Sequence, residues 1–260
     1  MSNECVINTN KPNMNELISF VNTEQYDKLE DAWLGIIDSN SKNLQALFEV
    51  VDLLAKREDK KRAHDFLVTL APHYKQRGHY QDVLEILEYN PKEKGMAKEI
   101  AECYSHIYKD RPYAKDLIEK TCIETTSDIR CAITKLEKYF YLDCGDYVYH
   151  KSWGVGQVFS VDAQGEKVNI NFEKKSNHSV AMDIAPAILQ KLDKDDLLAM
   201  IYAQKDVLNK MIEENPVDLI KLTLKYFKGK ASVSHIKNRL ISGVIPPEAW
   251  SRWWTSTKKL

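Results

Sequence analysis

Gly145-Asp146-Tyr147-Val148-Tyr149-His150-Lys151-Ser152-Trp153-Gly154-Val155-Gly156-Gln157-Val158 reads as a strand, a short loop with a tryptophan at its tip, and a second strand. Tyr147 and Tyr149 alternate with Val148 and His150, the period of two that turns one side of a strand to a core and the other to solvent. Lys151 to Gly154 break that period. Gly154 and Gly156 supply positive φ, a bulge or close backbone approach where a sheet must bend. Downstream come Phe159-Ser160-Val161, a turn from Asp162 to Glu166, a strand from Lys167 to Phe172, a polar loop from Glu173 to Asn177, and a fourth strand from His178 to Ile184. Four or five short strands joined by tight turns predict a small SH3-like barrel, because closure removes exposed edges.

On either side of this segment the pattern is helical. Leu29, Ala32, Trp33, Ile36 and Ile37 form one apolar stripe, with Thr23 expected as its cap. Leu44, Leu47, Phe48, Val51 and Leu54 form the next, after Ser39-Asn40-Ser41. Ala63, Phe66, Leu67, Leu70 and Tyr74 follow. Helix pairs recurring at irregular spacing, about thirty residues apart, read as a stacked α-solenoid, in which Tyr74, Tyr80, Tyr104 and Tyr108 serve first as inter-helix packing. Past the strands, Asp193 is expected to cap a second helical series covering Leu197–Gln204, Val207–Glu214, Val217–Phe227, Val233–Ser242 and Glu248 to the end. Trp250, Trp253 and Trp254 make an i, i+3, i+4 stripe, which reads as core before it reads as a base-stacking platform. No glycine or proline stops the last helix, so the chain is expected to continue into a longer protein or a linker.

The net charge of −1 hides a separation. Between Leu219 and Leu260 nine basic residues face Glu248 alone, so the rest of the chain is acidic. A basic end points to an anionic partner or to a solvated lysine-rich helix face. Lys228, Lys230, Lys237, Arg239, Arg252, Lys258 and Lys259 are the candidate nucleic-acid-binding residues.

Other classes are excluded in turn. No apolar run reaches membrane-spanning length, and Met1 to Cys5 carry no signal-peptide pattern, so a cytoplasmic protein with no membrane partner is expected. Cys5, Cys103, Cys122, Cys131 and Cys144 are odd in number with no Cys-x-x-Cys pair, which predicts reduced packing thiols rather than a zinc site. The seven histidines lack metal-ligand spacing, and no phosphate loop, nucleophile elbow or dinucleotide glycine pattern occurs. No catalytic residue, cofactor, metal or small-molecule substrate is therefore expected, and the chain reads as a non-enzyme.

Three resemblances sharpen this reading. Leu70-Ala71-x-x-Tyr74-x-x-x-Gly78-x-Tyr80-x-x-Val83-x-x-x-Leu87 resembles half of a tetratricopeptide pattern. Asp146-x-Val148-x-His150-Lys151-x-Trp153-Gly154-x-Gly156-x-Val158 resembles the Tudor-like modules of CarD-type regulators and UvrD-type helicases, which implies docking on bacterial RNA polymerase. The order of helices, strands, then Ser232–Lys237 and Ile245–Trp254 resembles the N-terminal extension of long Gre-type transcript cleavage factors from spirochaete- or chlamydia-like bacteria. Nothing matches the Gre coiled coil with its acidic tip, so the resemblance implies the non-catalytic front part only.

The expected fold class is mainly α with a small β-barrel. A helical-repeat, tetratricopeptide-like solenoid occupies residues 1–142, a Tudor/SH3-like barrel 143–192 and a basic helical domain 193–260. The resemblance implies a transcription elongation factor region whose partner is RNA polymerase, with nucleic acid as a second candidate partner. Tyr149, His150, Lys151, Trp153, Gly154 and Gly156 are the candidate partner-binding residues. Trp153 either anchors the partner or folds back to plug the barrel, and the first strand is a candidate edge for an added partner strand. Two rival readings are a general nucleic-acid-binding protein and a helical-repeat peptide scaffold.

Overall fold

The computed structural model describes residues 14–38, 44–57, 59–89 and 95–260, and divides into two compact units, Met1–Arg130 and Cys131–Leu260. In the first unit, α1 (Met14–Asn22), α2 (Tyr26–Asp38), α3 (Leu44–Lys56), α4 (Lys60–Gln76), α5 (Tyr80–Tyr89), α6 (Met96–Ile107) and α7 (Ala114–Lys120) follow one another. From α3 to α7 each helix packs on the next. The stripes are the reason: Leu29, Trp33, Ile36 and Ile37 on α2, Leu47, Phe48, Val51 and Leu54 on α3, and Phe66, Leu70 and Tyr74 on α4 are all buried.

The chain ends α4 with Gly78 at φ 73°, where the His79 amide donates to the Tyr74 carbonyl and the Gly78 amide to that of Lys75. Tyr74 and Tyr104 are buried, Tyr80 stacks on His106 of the next helix at 4.0 Å, and Arg111 lies over the Tyr108 ring in the turn after α6, so these tyrosines serve packing. Thr23 does not cap α2. Its hydroxyl donates to the Ser19 carbonyl and closes the end of α1 instead. The Ser39-Asn40-Ser41 segment and Cys5 lie outside the described residues.

The second unit is entered through α8 (Ile129–Tyr139) and continues with β1 (Tyr147–His150), β2 (Gly154–Asp162), β3 (Lys167–Phe172), β4 (Lys175–Ala181), the short α9 (Ala185–Ile188) and β5 (Gln190–Leu192). It closes with α10 (Leu197–Ala203), α11 (Lys205–Glu214), α12 (Pro216–Tyr226), α13 (Val233–Ile241) and α14 (Trp250–Thr257).

The strands form one antiparallel sheet in the order β4-β3-β2-β1-β5. It is not closed into the expected barrel, because β4 and β5 are its two edges and pair only inward. The three residues of β5 reach β1 alone. Their outer side is sealed by Tyr141, whose hydroxyl accepts from the Lys191 amide at 3.2 Å and donates to the Leu189 carbonyl at 3.1 Å. The first strand cannot accept a partner strand either, since β1 is already paired on both sides. The fourth strand begins earlier than expected, at Lys175, because the turn before it is only Glu173-Lys174.

The two sheet faces have different duties. Val148, Val158, Ile170, Phe172 and Val180 are buried on one. On the other, Val155 and Leu192 bury against Ala199 of α10, with Tyr147, Tyr149, Leu198 and Tyr202 packed around them. The α10 cap is Asp196, whose carboxylate accepts from the Leu198 amide at 2.7 Å, and not Asp193. A second core gathers Leu197, Met200, Leu208, Leu219, Ile236, Leu240, Ile245 and Trp250 from α10 to α14. Trp253 donates its indole N–H to the Ile212 carbonyl at 3.0 Å and Trp254 stacks on Trp250, so the tryptophan stripe is core.

Candidate functional site

The β1–β2 hairpin carries six of the candidate residues. Three loop residues, Lys151 to Trp153, separate the paired His150 and Gly154, and Gly154 sits at φ 79°. This is the three-residue hairpin that ends on a left-handed position, which favours glycine. Gly156 has a different reason. A Cβ there would lie 2.6 Å from Phe172 Cδ1 and 2.9 Å from the Asn171 carbonyl oxygen, so β3 crosses where a side chain would stand. Both glycines shape the site and neither presents a functional group to a partner.

The hairpin sends its side chains to two opposite faces. His150 stacks on Trp153 with ring centroids 3.9 Å apart, and the indole meets His178 edge-on at 4.2 Å and leans on buried Phe172 at 5.3 Å. Lys175 places its ammonium 4.7 Å from the indole centroid. The Lys174 amide donates to the Trp153 carbonyl at 3.2 Å, and the Glu173 carboxylate accepts from the Val155 amide at 3.2 Å, which fastens the β3–β4 turn to the loop. His150 Nδ1 accepts from the Ser152 amide at 3.1 Å. Burial first, then the Lys175 ammonium and His150, hold His178 below the ordinary imidazole range. Trp153 is thus half-buried on its own sheet. It neither plugs a barrel end nor stands free.

Tyr149 and Lys151 point the other way. With Tyr141, Pro186, Ile188 and Gln190 they line a groove of about 430 Å³ beside β5 and α9. Ile188 and its neighbour Ile184 are 40% and 48% exposed. Sequence reasoning missed the α9 wall of this groove. Its signal was the pair of isoleucines, Ile184 and Ile188, on either side of Pro186.

Asp146, the first residue of the hairpin motif, is structural. Its carboxylate accepts from the Asp143 amide at 2.7 Å and pairs with Lys191 at 2.6 Å.

The basic candidates separate as well. Lys228 and Lys230 are exposed in the turn between α12 and α13, and Lys237 is exposed on α13. Lys228 itself adopts φ 55° and Gly229 φ 85°, with the Gly229 amide donating to the Leu224 carbonyl at 2.8 Å. A non-glycine residue in that left-handed position is strained. Ser232 caps α13 by accepting from the His235 amide at 3.2 Å. Arg239 is partly buried with its guanidinium 4.9 Å over the Tyr226 ring, so it joins α12 to α13. Arg252 is exposed on α14, and Lys258 and Lys259 are exposed just past its end. Among the described residues no group of His, Cys, Asp or Glu is arranged to hold a metal ion.

Residues 198–260, the span from α10 to α14, match the GRAD helix-turn-helix domain. A protein named transcription elongation factor GreA from Chlamydia pneumoniae is 29% identical over 133 residues, 50% of this chain and 18% of that protein. One of the same name from Chlamydia trachomatis is 34% identical over 120 residues, 45% of this chain and 17% of its own length. A third, from Borreliella burgdorferi, is 22% identical over 247 residues, 93% of this chain and 27% of that protein. The resemblance to Gre-type factors with extra domains holds. The chain spans less than a third of the length of these curated relatives. No solved structure matches it.

Proposed function

We propose that this chain is a non-catalytic interaction region of a transcription elongation factor, and that it docks on bacterial RNA polymerase through the β1–β2 hairpin. The observation that carries the reading is the pairing of two matches. The GRAD helix-turn-helix match covers the helices that follow the sheet, and 93% of the chain aligns with a relative named transcription elongation factor GreA. The meander of β1 to β4, followed by α9 and a return of β5 to β1, supports a Tudor-like, SH3-like sheet. The successive packing of α3 to α7 supports a helical-repeat unit. A bacterial cytoplasmic setting follows from the same reading, and no helix among the described residues is long and apolar enough to cross a membrane.

The docking face in this proposal is the groove of Tyr149 and Lys151, with His150 and Trp153 bracing the loop from behind. A half-buried tyrosine and an exposed aliphatic side chain beside a lysine on a rigid hairpin have the make-up of an interface anchor. The test is retention of bacterial RNA polymerase core enzyme by the immobilised full chain. Tyr149→Ala with Lys151→Glu should cut retention about tenfold or more, the loss typical of a pair of anchor residues. Retention at wild-type strength by a variant with an unchanged melting curve rejects docking through this face.

The helix-turn-helix match favours a second reading, in which the α12–α13 turn contacts nucleic acid. Lys228 supports it, since a cation is held in a left-handed conformation that glycine adopts at lower cost. Lys228, Lys230 and Lys237 are the residues that would meet phosphate, while Arg239 holds the two helices together. Filter binding of duplex DNA by a Lys228→Glu, Lys230→Glu, Lys237→Glu variant tests it. Unchanged binding rejects the reading.

A further inference from the structure

The face of the hairpin opposite the Tyr149–Lys151 groove braces the loop in the first reading and meets no partner in either. It combines a half-buried indole, two imidazoles and two exposed lysines on adjoining loops. Lys174 and Lys175 make no ion pair among the described residues. The carboxylate in their turn, Glu173, is bound to the Val155 amide. Two lysine cations against this one carboxylate leave the surface net positive beside an aromatic ring.

We infer that this face, formed by Trp153, His150, His178, Lys174 and Lys175, is a binding site for single-stranded nucleic acid. The geometry gives each part a role. One face of the Trp153 indole is covered by His150 at 3.9 Å, and that stacking, with Phe172 and His178, fixes the ring in place. The ring also carries the Lys175 ammonium, 4.7 Å from its centroid. That ammonium ends a flexible, exposed side chain, so it is the movable part of the arrangement. A nucleobase has a planar π-face that can take its place over the indole, and the displaced ammonium then reaches the phosphate of the same nucleotide. Lys174 stands next to it in sequence, at the turn whose amide is bonded to the Trp153 carbonyl, and supplies a second phosphate contact.

Duplex does not fit this chemistry, because its bases are stacked on each other and cannot reach an indole. An acidic protein segment would satisfy the lysines but would leave the ring no planar partner. The rigid ring beneath a movable cation is what favours a single strand.

The experiment is fluorescence anisotropy of a labelled oligouridine of about 15 nucleotides, a length within the range one small β module covers, titrated with the full chain. Lys174→Glu with Lys175→Glu should weaken binding at least ~10-fold and lower the log–log salt slope by about 1.4, the value for two phosphate contacts on a single strand. Trp153→Phe, which keeps an aromatic ring and the fold, should weaken it about fivefold through poorer stacking. The Lys174/Lys175 reversal made in a Lys228→Glu, Lys230→Glu, Lys237→Glu background should give the same fold loss as in the wild-type chain, which separates this site from the helix-turn-helix. Absence of binding at ~50 mM salt, or binding unaffected by the Lys174/Lys175 reversal, overturns the inference. Displacement of the oligonucleotide by polyglutamate of equal charge, together with no effect of Trp153→Phe, also overturns it and makes the face a site for acidic protein.

Discussion

The Lys191 ammonium lies 2.6 Å from the Asp146 carboxylate, joining the residue before β1 to the middle of β5. The same carboxylate accepts from the Asp143 amide, so it serves a backbone donor and a cation at once. Asp146 is the more buried partner and Lys191 the more exposed. Asp146→Ala should therefore destabilise the second unit by about 1–3 kcal/mol, because a backbone amide loses its acceptor. Lys191→Ala should cost less than about 1 kcal/mol, as expected of a solvent-screened pair. Urea unfolding followed by tryptophan fluorescence measures both, since Trp153, Trp250, Trp253 and Trp254 all lie in this unit.

The two hairpin glycines should respond differently to alanine. At Gly156 the new methyl would meet the Phe172 ring at 2.6 Å and the β3 backbone at 2.9 Å. Overpacking of this kind costs about 1–3 kcal/mol or more. At Gly154 the obstacle is the movable end of Glu173, and the penalty is chiefly the left-handed backbone, about 1–2 kcal/mol. Gly156→Ala should shift the urea midpoint further than Gly154→Ala. Equal or reversed shifts would mean that β3 retreats more easily than its neighbours suggest.

His178 provides a pH dependence with a definite sign. Its folded-state pKa lies below the ordinary histidine value, so the unfolded chain binds the proton more readily. The stability it contributes is present above the unfolded value of about 6.5 and is lost as pH falls through the lower, folded one. Urea midpoints should fall between about pH 7.5 and pH 5. Lys175→Met should raise the His178 pKa in an NMR titration by removing a nearby cation, and His178→Gln should flatten this part of the stability profile.

Thiol labelling should divide the cysteines. Cys103 is buried, and burial pushes its thiol up to about 11, whereas Cys122, Cys131 and Cys144 are exposed. Alkylation at about pH 8 should modify the exposed three in the native chain and reach Cys103 only on unfolding. Rapid native labelling of Cys103, located by mass spectrometry, would contradict its place on the inner side of α6.

Much of the hairpin was legible because its signals are local. The period of two in Tyr147–His150 and the two glycines fix a strand, a three-residue loop and a close crossing without reference to anything distant. That same period already divides Tyr149 from His150. The return of Trp153 to the His150 side was not legible, since it depends on the left-handed Gly154 and on the β3–β4 turn bonding to the loop. The open sheet was hidden for a similar reason. Gln190-Lys191-Leu192 shows no alternation long enough to announce a strand, and its outer side is closed by Tyr141, some fifty residues earlier. Asp193, Asp195 and Asp196 offered three carboxylates for one helix start, and only the backbone geometry selects Asp196. The tryptophan stripe was readable as core from spacing alone. Arg239 was not readable as packing, because Tyr226 lies on the neighbouring helix.

Helix α10 has one foot in each layer of the second unit. Ala199 and Leu198 grip the strands, while Leu197 and Met200 belong to the helical cluster that also holds Ile236 of α13. The two layers therefore share one helix, and a substitution that loosens α10 removes support from the strands and from the seat of α13 together.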